Sequence, residues 1–299
     1  MLKKFRSAFL FLLVFGFSAT LMGNEWANYY FPDELDSYWT YEDHDGEELT
    51  RYAIAPEEID GETYRAFSYE PVLEDWANYQ YYFHPYFYQV SDDWVAFFVG
   101  DDIENATRAV TEQQWNEAMV VMKQELNNQL PPGMNLDLNV TYDLDIQAQD
   151  YFYLLPTPAT FNEEWEASRV DVEMDLQIEI TSNLDGFPPA SQAITMFLTL
   201  VETGVVTGTE TVATSAGTFE DCLIVEYKMD ATIKTEPDLP EAKTLFADAY
   251  KGTLTTLWLA PNVGIVKMLQ ESENSDTVKT LELTNYEIKS TESESGEGD

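Results

Sequence analysis

Cys222 is the only cysteine among 299 residues, and it lies between acidic and apolar neighbours in AGTFEDCLIVEY, residues 216–227. A cysteine nucleophile requires a base, usually histidine, that maintains the thiolate. The two histidines, His44 and His84, fall in a hairpin turn and among tyrosines, and nothing in the sequence brings either to the thiol. Apolar residues lie on both faces of the predicted strand, which favours a buried thiol. We therefore predict a structural role for Cys222.

Carboxylates are the second source of chemistry, because 55 aspartate and glutamate residues stand against 15 lysine and arginine residues. The segment DHDGEE, residues 43–48, is too short for an EF-hand loop and lacks its distal glutamate. Its Asp45-Gly46 pair instead predicts a tight hairpin turn. The sequence contains no zinc motif, serine elbow or phosphate-binding glycine-rich loop. We predict no catalytic residue, no metal site and no cofactor, and a hydrolase that uses two carboxylates stays open as an alternative.

Aromatic side chains form one unusual concentration, between residues 76 and 88. Tyrosine and tryptophan provide rigid, amphipathic contact area that suits sugar, peptide or lipid. Stacking between strands within the sheet is the alternative explanation. The predicted ligand-binding residues are Trp76, Tyr79, Tyr82, Tyr86 and Tyr88.

Residues 1–23 have the pattern of a secretory signal peptide, with three basic residues before an apolar run at 8–17. This run is too short for a membrane span, and no transmembrane span is predicted in the mature chain. We expect cleavage after Gly23 and export to the periplasm or the exterior of a bacterium. Because Asn24 would follow the cleavage site, a bacterial lipid anchor of the usual kind is not expected. An uncleaved N-terminal anchor is the alternative.

The formal net charge of −40 repels nucleic acid, which excludes it as a partner. The acids are dispersed among predicted strands, which favours solvated acidic faces over cation sites or adaptation to salt. Residues 290–299 contain no large apolar side chain and predict a flexible acidic tail.

Most of the chain has the pattern of antiparallel strands. The Asp45-Gly46 and Asp60-Gly61 pairs predict hairpins. Between Val170 and Ile180, apolar residues alternate with acids and an amide, which predicts a strand with one face on a core and one in water. The predicted fold class is α+β, mainly antiparallel β, as a curved sheet or half-barrel with one or two packed helices.

Two amphipathic helices are predicted. The first begins with a capping box at Thr111 and ends before Pro131, and the second extends from near Pro240 to Gly252. The apolar face of the first helix consists of Trp115, Met119, Met122, Leu126 and Leu130.

Three segments, YYFPDELDSYWTY, GTETVATSAGTFEDCLIVEY and TTLWLAPNVGIVKM, together with LELTNYEIK, resemble a family of uncharacterised bacterial secreted proteins. The match is most specific from Gly208 to Lys289. The resemblance implies an exported β-rich fold, similar to the half-barrels of lipoprotein carriers, and supplies no established catalytic residues. Asp36-Ser37-Tyr38 departs from the family, which often has glycine before its tryptophan, and the helix at Thr111 looks like an addition.

The segment around Pro156 and Trp165 resembles the one around Pro32 and Trp39. This likeness predicts that the β-rich domain, 24–289, consists of two similar halves, 24–150 and 151–289.

These observations favour an exported, non-enzymatic module that binds an apolar or carbohydrate ligand, or a partner protein, on its curved sheet. We expect the ligand or partner to be a lipid, a glycan or another envelope protein. The alternatives are a structural protein of the cell surface or envelope and the carboxylate-dependent hydrolase.

Overall fold

The computed structural model describes residues 29–73, 85–128, 130, 136–182, 188–239, 252–272 and 275–289. The predicted signal peptide, the second predicted helix and the acidic tail lie outside these ranges. In chain order the elements are β1 (Tyr38–Asp43), β2 (Glu48–Ile59), β3 (Glu62–Glu70), β4 (Phe87–Val90), β5 (Trp94–Phe98), α1 (Asp102–Asn128), β6 (Leu136–Ala148), β7 (Tyr151–Pro156), β8 (Glu164–Ser182), β9 (Ala190–Thr214), β10 (Gly217–Glu236), β11 (Thr253–Ala260), β12 (Gly264–Ser272) and β13 (Ser275–Glu287).

The strands form one antiparallel sheet in the order β6-β8-β9-β10-β11-β12-β13-β1-β2-β3-β4-β5-β7. The sheet is strongly curved but does not close, so β6 and β7 are its edges. Side-chain hydrogen bonds nevertheless connect strands near the β6 edge with the β7 edge. The Trp165 indole N–H of β8 donates to the Tyr153 carbonyl of β7 at 2.8 Å. The prediction of a curved, mainly antiparallel sheet is confirmed.

The alternation that predicted a half-buried strand appears in β8 as expected. Val170, Val172 and Met174 are buried, while Asp171 and Glu173 between them are exposed. The buried side chains meet those of β6 and β9, the two neighbours of β8 in the sheet. The apolar side of the sheet therefore surrounds the core, and the acids face water.

Both predicted hairpins are present, joining β1 to β2 and β2 to β3. Asp60 and Gly61 have φ values of 53° and 86°. Two positive φ angles in sequence are typical of a type I′ turn, whose twist matches that of the flanking strands.

The predicted start of the first helix was wrong, because α1 begins at Asp102 and places Thr111 in its interior. Asp102 and Glu104 in the first turn are favourable at the positive end of a helix dipole. Trp115 and Met119 are buried as predicted, whereas the Met122 side chain is exposed. The helix packs on β6, where the Trp115 ring lies 6.1 Å from the Tyr142 ring.

Arg51 of β2 is buried in the core, and its guanidinium lies close to two aromatic rings. Its Cζ lies 4.4 Å from the ring centroids of both Trp39 and Phe67. Within the described part of the chain, its Nε and Nη1 atoms have no hydrogen-bond partner. Among the described residues, the cation is therefore held by π faces and by packing.

Two substitutions distinguish the volume of Arg51 from its charge. Arg51→Ala should lower the free energy of unfolding by about 3 kcal/mol, because truncation leaves a cavity among the rings. Arg51→Met, which fills most of that space without a buried charge, should cost clearly less. Urea unfolding measures both losses. Equal losses would show that the cation–π contacts, and not the filled volume, stabilise this region.

Candidate functional site

Two of the five predicted ligand-binding residues lie within the described part of the chain, and both are engaged in the protein. Tyr88 is 1% exposed, stacks on Phe67 with 4.8 Å between ring centroids, and donates its hydroxyl to Asp33 at 2.7 Å. Tyr86 is half-buried and donates to the Leu73 carbonyl at 3.3 Å. Tyr88 is thus a core residue. Trp76, Tyr79 and Tyr82 lie outside the described residues, and their role stays a prediction.

A different set of aromatic side chains lies together on the outer side of β3, β4, β5 and β7. Neighbouring residues of a strand point to opposite faces. In β5, Val95 and Phe97 are fully buried, so Trp94 and Phe98 lie on the opposite side. The same alternation in β7 places Tyr151 and Tyr153 outward. We call this set the outer aromatic face, and it consists of Tyr64, Phe87, Trp94, Phe98, Tyr151 and Tyr153. Tyr64 is 3% exposed and lies covered by its neighbours, whereas the other five are half-buried.

The strand register brings these rings into contact. Phe87 of β4 pairs with Phe98 of β5, and Phe98 pairs with Tyr151 of β7. The resulting series of ring contacts crosses β3, β5 and β7. The distances between ring centroids are 4.9 Å for Tyr64 and Phe98, 5.6 Å for Phe98 and Tyr151, 6.3 Å for Tyr151 and Tyr153, and 5.2 Å for Trp94 and Tyr153.

Polar groups accompany the rings. The hydroxyl oxygens of Tyr64 and Tyr151 lie 2.7 Å apart. The Tyr64 hydroxyl and the Gln89 amide both donate to Glu62 Oε2, each at 3.2 Å. Burial, and next the hydrogen bond with Tyr151, raise the pKa of Tyr64, so its phenol stays neutral. The outer aromatic face therefore combines flat apolar surface with neutral hydroxyls and one carboxylate.

Sequence reasoning missed this face because its members are spread from Tyr64 to Tyr153. Two short signals were present, since WVAFF and YFYLL each contain aromatic residues in alternate positions. Alternation alone shows that such residues share a side of a strand. It does not show that β7 lies beside β5 in the sheet, because α1 and β6 separate the two strands in the sequence.

A depression of about 160 Å³ lies on the outer side of β6, β8 and β9. Asp145, Asp171 and Glu173 line it, and the Thr199 hydroxyl donates to Asp171 at 2.6 Å. Ligand pockets usually begin at about 300 Å³ and are mainly apolar. This small acidic depression does not suit an apolar ligand.

The Asp43, His44 and Asp45 side chains lie in the first hairpin turn, with their potential ligand atoms within 4.8 Å of one another. Asp43 Oδ1 accepts the backbone amides of Asp45 and Glu47, each at 2.9 Å. These bonds close the turn, as the hairpin prediction requires.

Glu202 of β9 is a buried carboxyl group on the core side of the sheet, 5% exposed. Its Oε2 atom has no hydrogen-bond partner among the residues that the structure describes. Burial raises its pKa to about 8, so the carboxyl is protonated at neutral pH. No local pattern distinguishes this residue in the sequence, where it is one acid among many.

Cys222 is buried, as predicted, and its thiol contacts the Phe219 carbonyl oxygen at 3.4 Å. Burial raises the pKa of the thiol to about 11. His44 lies in the β1–β2 turn, and His84 lies outside the described residues. The thiol is thus protonated at neutral pH and poorly nucleophilic.

Thiol labelling tests the placement of Cys222. At pH 8 the native protein should react with a disulfide reagent far more slowly than the urea-unfolded chain, because the native thiol is both buried and protonated. The unfolded sample supplies the reference rate for the same residue. Rapid stoichiometric labelling of the native protein would contradict a buried structural thiol.

Comparison with known proteins identifies no family for this chain. No family model and no curated protein matches it. No helix in the described ranges has the length and apolar character needed to cross a membrane.

Two solved structures show limited similarity. A protein from Bacteroides fragilis, described as exported and with a YmcC-like fold, is 14% identical with a TM-score of 0.38, over 87% of this chain and 99% of that one. A protein from Parabacteroides distasonis, described as a lipoprotein, is 13% identical with a TM-score of 0.36, over 87% and 98%. Similarity at this level supports no inference about ligand or activity.

Proposed function

We propose that the protein is an exported, non-enzymatic binding module whose ligand is a neutral carbohydrate held on the outer aromatic face. Export is supported by the signal-peptide pattern of residues 1–23. The single observation that carries the binding proposal is the continuous set of ring contacts from Tyr64 to Trp94, beside paired tyrosine hydroxyls.

A sugar ring presents C–H groups on its faces and hydroxyls at its edge. The outer aromatic face offers a counterpart to each, because its rings provide flat apolar area and its polar groups provide donors and acceptors. Tyr64, Tyr151 and Glu62 form the polar part. The Tyr64 hydroxyl is hydrogen-bonded to both of the others. Because Tyr64 is itself buried, a ligand hydroxyl would join this network at Tyr151 or Glu62, which are accessible to solvent.

A lipid is less suitable for two reasons. The core side of the described sheet is filled by packed side chains, among them Phe97, Phe152 and Tyr227. The depression on β6, β8 and β9 is small and acidic. An acyl chain needs an enclosed apolar cavity, which neither region provides.

The charge of the protein restricts the class of sugar. A net charge of −40 disfavours acidic saccharides at ordinary ionic strength. Glu62 lies within the proposed site and adds a local negative charge. We therefore expect neutral oligosaccharides to bind better than uronic acids or sulfated sugars.

Saccharide titrations with matched variants test this proposal. The probes are neutral oligosaccharides of glucose, mannose and N-acetylglucosamine, first on an array and then by NMR or calorimetry. Trp94→Ala and Tyr153→Ala should each weaken binding about tenfold, equivalent to about 1.4 kcal/mol. Each change removes one of two rings that contact each other at a tilt of 59°, with 5.2 Å between their centroids.

The matched control is Tyr52→Ala. Tyr52 is a half-buried outward tyrosine whose ring lies 6.2 Å from Tyr38, on β2 and away from the proposed site. Its loss should leave the affinity unchanged. Absence of binding by every probe at millimolar concentration would refute the proposal, as would an equal loss in the Tyr52 variant.

A further inference from the structure

The edge strand β7 is attached to the rest of the protein in two different ways. On one side its main chain pairs with β5. Toward the core, two of its carbonyl groups accept side-chain hydrogen bonds: Tyr153 from the Trp165 indole at 2.8 Å, and Leu154 from the Tyr227 hydroxyl. Trp165 belongs to β8 and Tyr227 to β10. These two bonds join the last strand of the sheet to its opposite half.

Glu202 of β9 lies close along the strand to the two side chains that make these bonds. Trp165 and Tyr227 both pair with Gly204, which is two residues from Glu202 on the same face of β9. A Cβ atom placed on Gly204 would be 2.4 Å from Trp165 Cζ2. Burial first and the negative charge of Glu202 second raise the pKa of Tyr227. The carboxyl is therefore a neighbour of Tyr227 on the core side of the sheet.

No charged side chain in the described structure offsets a negative charge on Glu202. Its raised pKa has desolvation as its only cause. Across the strands it faces Ser168 of β8 and Met229 of β10, which are uncharged, and Tyr227 is the titratable neighbour. The ion pairs on the neighbouring strands, Arg169 with Glu166 on β8 and Lys228 with Asp230 on β10, are largely exposed.

Ionisation therefore leaves a carboxylate that needs donors in an apolar place. Two hydroxyl groups lie on the neighbouring strands: that of Ser168, which pairs with Glu202, and that of Tyr227, which is already donated to Leu154. A single serine hydroxyl does not satisfy both oxygens of a buried carboxylate. Turning the Tyr227 hydroxyl toward Glu202 as a second donor breaks the bond to β7. The protonated carboxyl has no such requirement.

We propose that Glu202 is a pH-sensitive element of the fold, and that its ionisation releases β7 from β8 and β10. Tyr151 and Tyr153 of the outer aromatic face belong to β7, so release displaces part of that face. The consequence for ligand binding rests on the proposed carbohydrate function, whereas the release of β7 is independent of that function.

The direction of the pH effect follows from the raised pKa. The unfolded chain releases the proton near the ordinary value of 4.5, whereas the folded protein retains it to about 8. The contribution of Glu202 to stability is therefore greatest below about 4.5, falls as the pH rises toward 8, and is lowest above 8. The same sign applies to the local attachment of β7, because the detached state also hydrates the carboxyl.

Hydrogen exchange of residues 151–156 tests the proposal in the full chain. Between pH 7 and 9, after correction for intrinsic exchange, wild-type protection of β7 should fall about tenfold, which is the change in ionised fraction for a pKa of about 8. Glu202→Gln should abolish this dependence, because it has a similar shape and no charge. Residues 257–266, in β11 and β12, provide the internal control. Equal pH dependence of β7 in the wild type and the variant would overturn the proposal.

Two further variants keep the result interpretable. Glu202→Leu removes the charge if the glutamine variant is poorly folded, and it should also make β7 protection independent of pH. Tyr227→Phe deletes the donor to Leu154 and should lower β7 protection at every pH. Unchanged protection in Tyr227→Phe would contradict the attachment itself.

Saccharide affinity measured on the same samples separates the two proposals. Affinity that falls between pH 7 and 9 in the wild type, but not in Glu202→Gln, supports both. Absence of binding at all pH values refutes the carbohydrate function. The proposed release of β7 is then decided by hydrogen exchange alone.

Discussion

The Tyr227 hydroxyl, donated to the Leu154 carbonyl, joins the middle of the sheet to its far edge. With the Trp165 bond to Tyr153, it satisfies main-chain groups that an edge strand otherwise leaves without partners. The sheet thereby surrounds one core without closing its hydrogen-bond ladder. The position of β7, and with it the outer aromatic face, depends on side chains from strands far away in the sheet.

Among the described residues, the core contains one arginine and one glutamate, which are accommodated in different ways. The guanidinium of Arg51 lies near the rings of Trp39 and Phe67, whose π faces attract a cation. Glu202 has no equivalent, since aromatic faces are negative and no donor in the described part of the chain bonds its Oε2. A carboxyl in such a site takes up a proton instead. The sign of the charge decides whether an aromatic core can hold it.

Local patterns predicted much of the fold. The alternation from Val170 to Ile180 and the Asp60-Gly61 turn each depend on neighbours in sequence, and each is present as expected. The start of α1 was misplaced because a capping pattern at Thr111 is compatible with a helix interior when an earlier acidic turn also starts the helix. The outer aromatic face and the environment of Glu202 could not be predicted, because both depend on which distant strands are neighbours.

The two edges of the sheet avoid pairing with other molecules by different means. On β6 and β8, Asp143 lies opposite Asp175, and Asp145 lies opposite Glu173. Like charges in these positions cost stability, which the buried partners on the other face must offset. They also make an edge that repels another strand of the same kind.

The β7 edge is instead covered by hydrogen bonds from the uncharged side chains of Trp165 and Tyr227. Its outer side can therefore carry tyrosines in place of acids. The outer side of β7 consequently presents Tyr151 and Tyr153 in an otherwise very acidic protein.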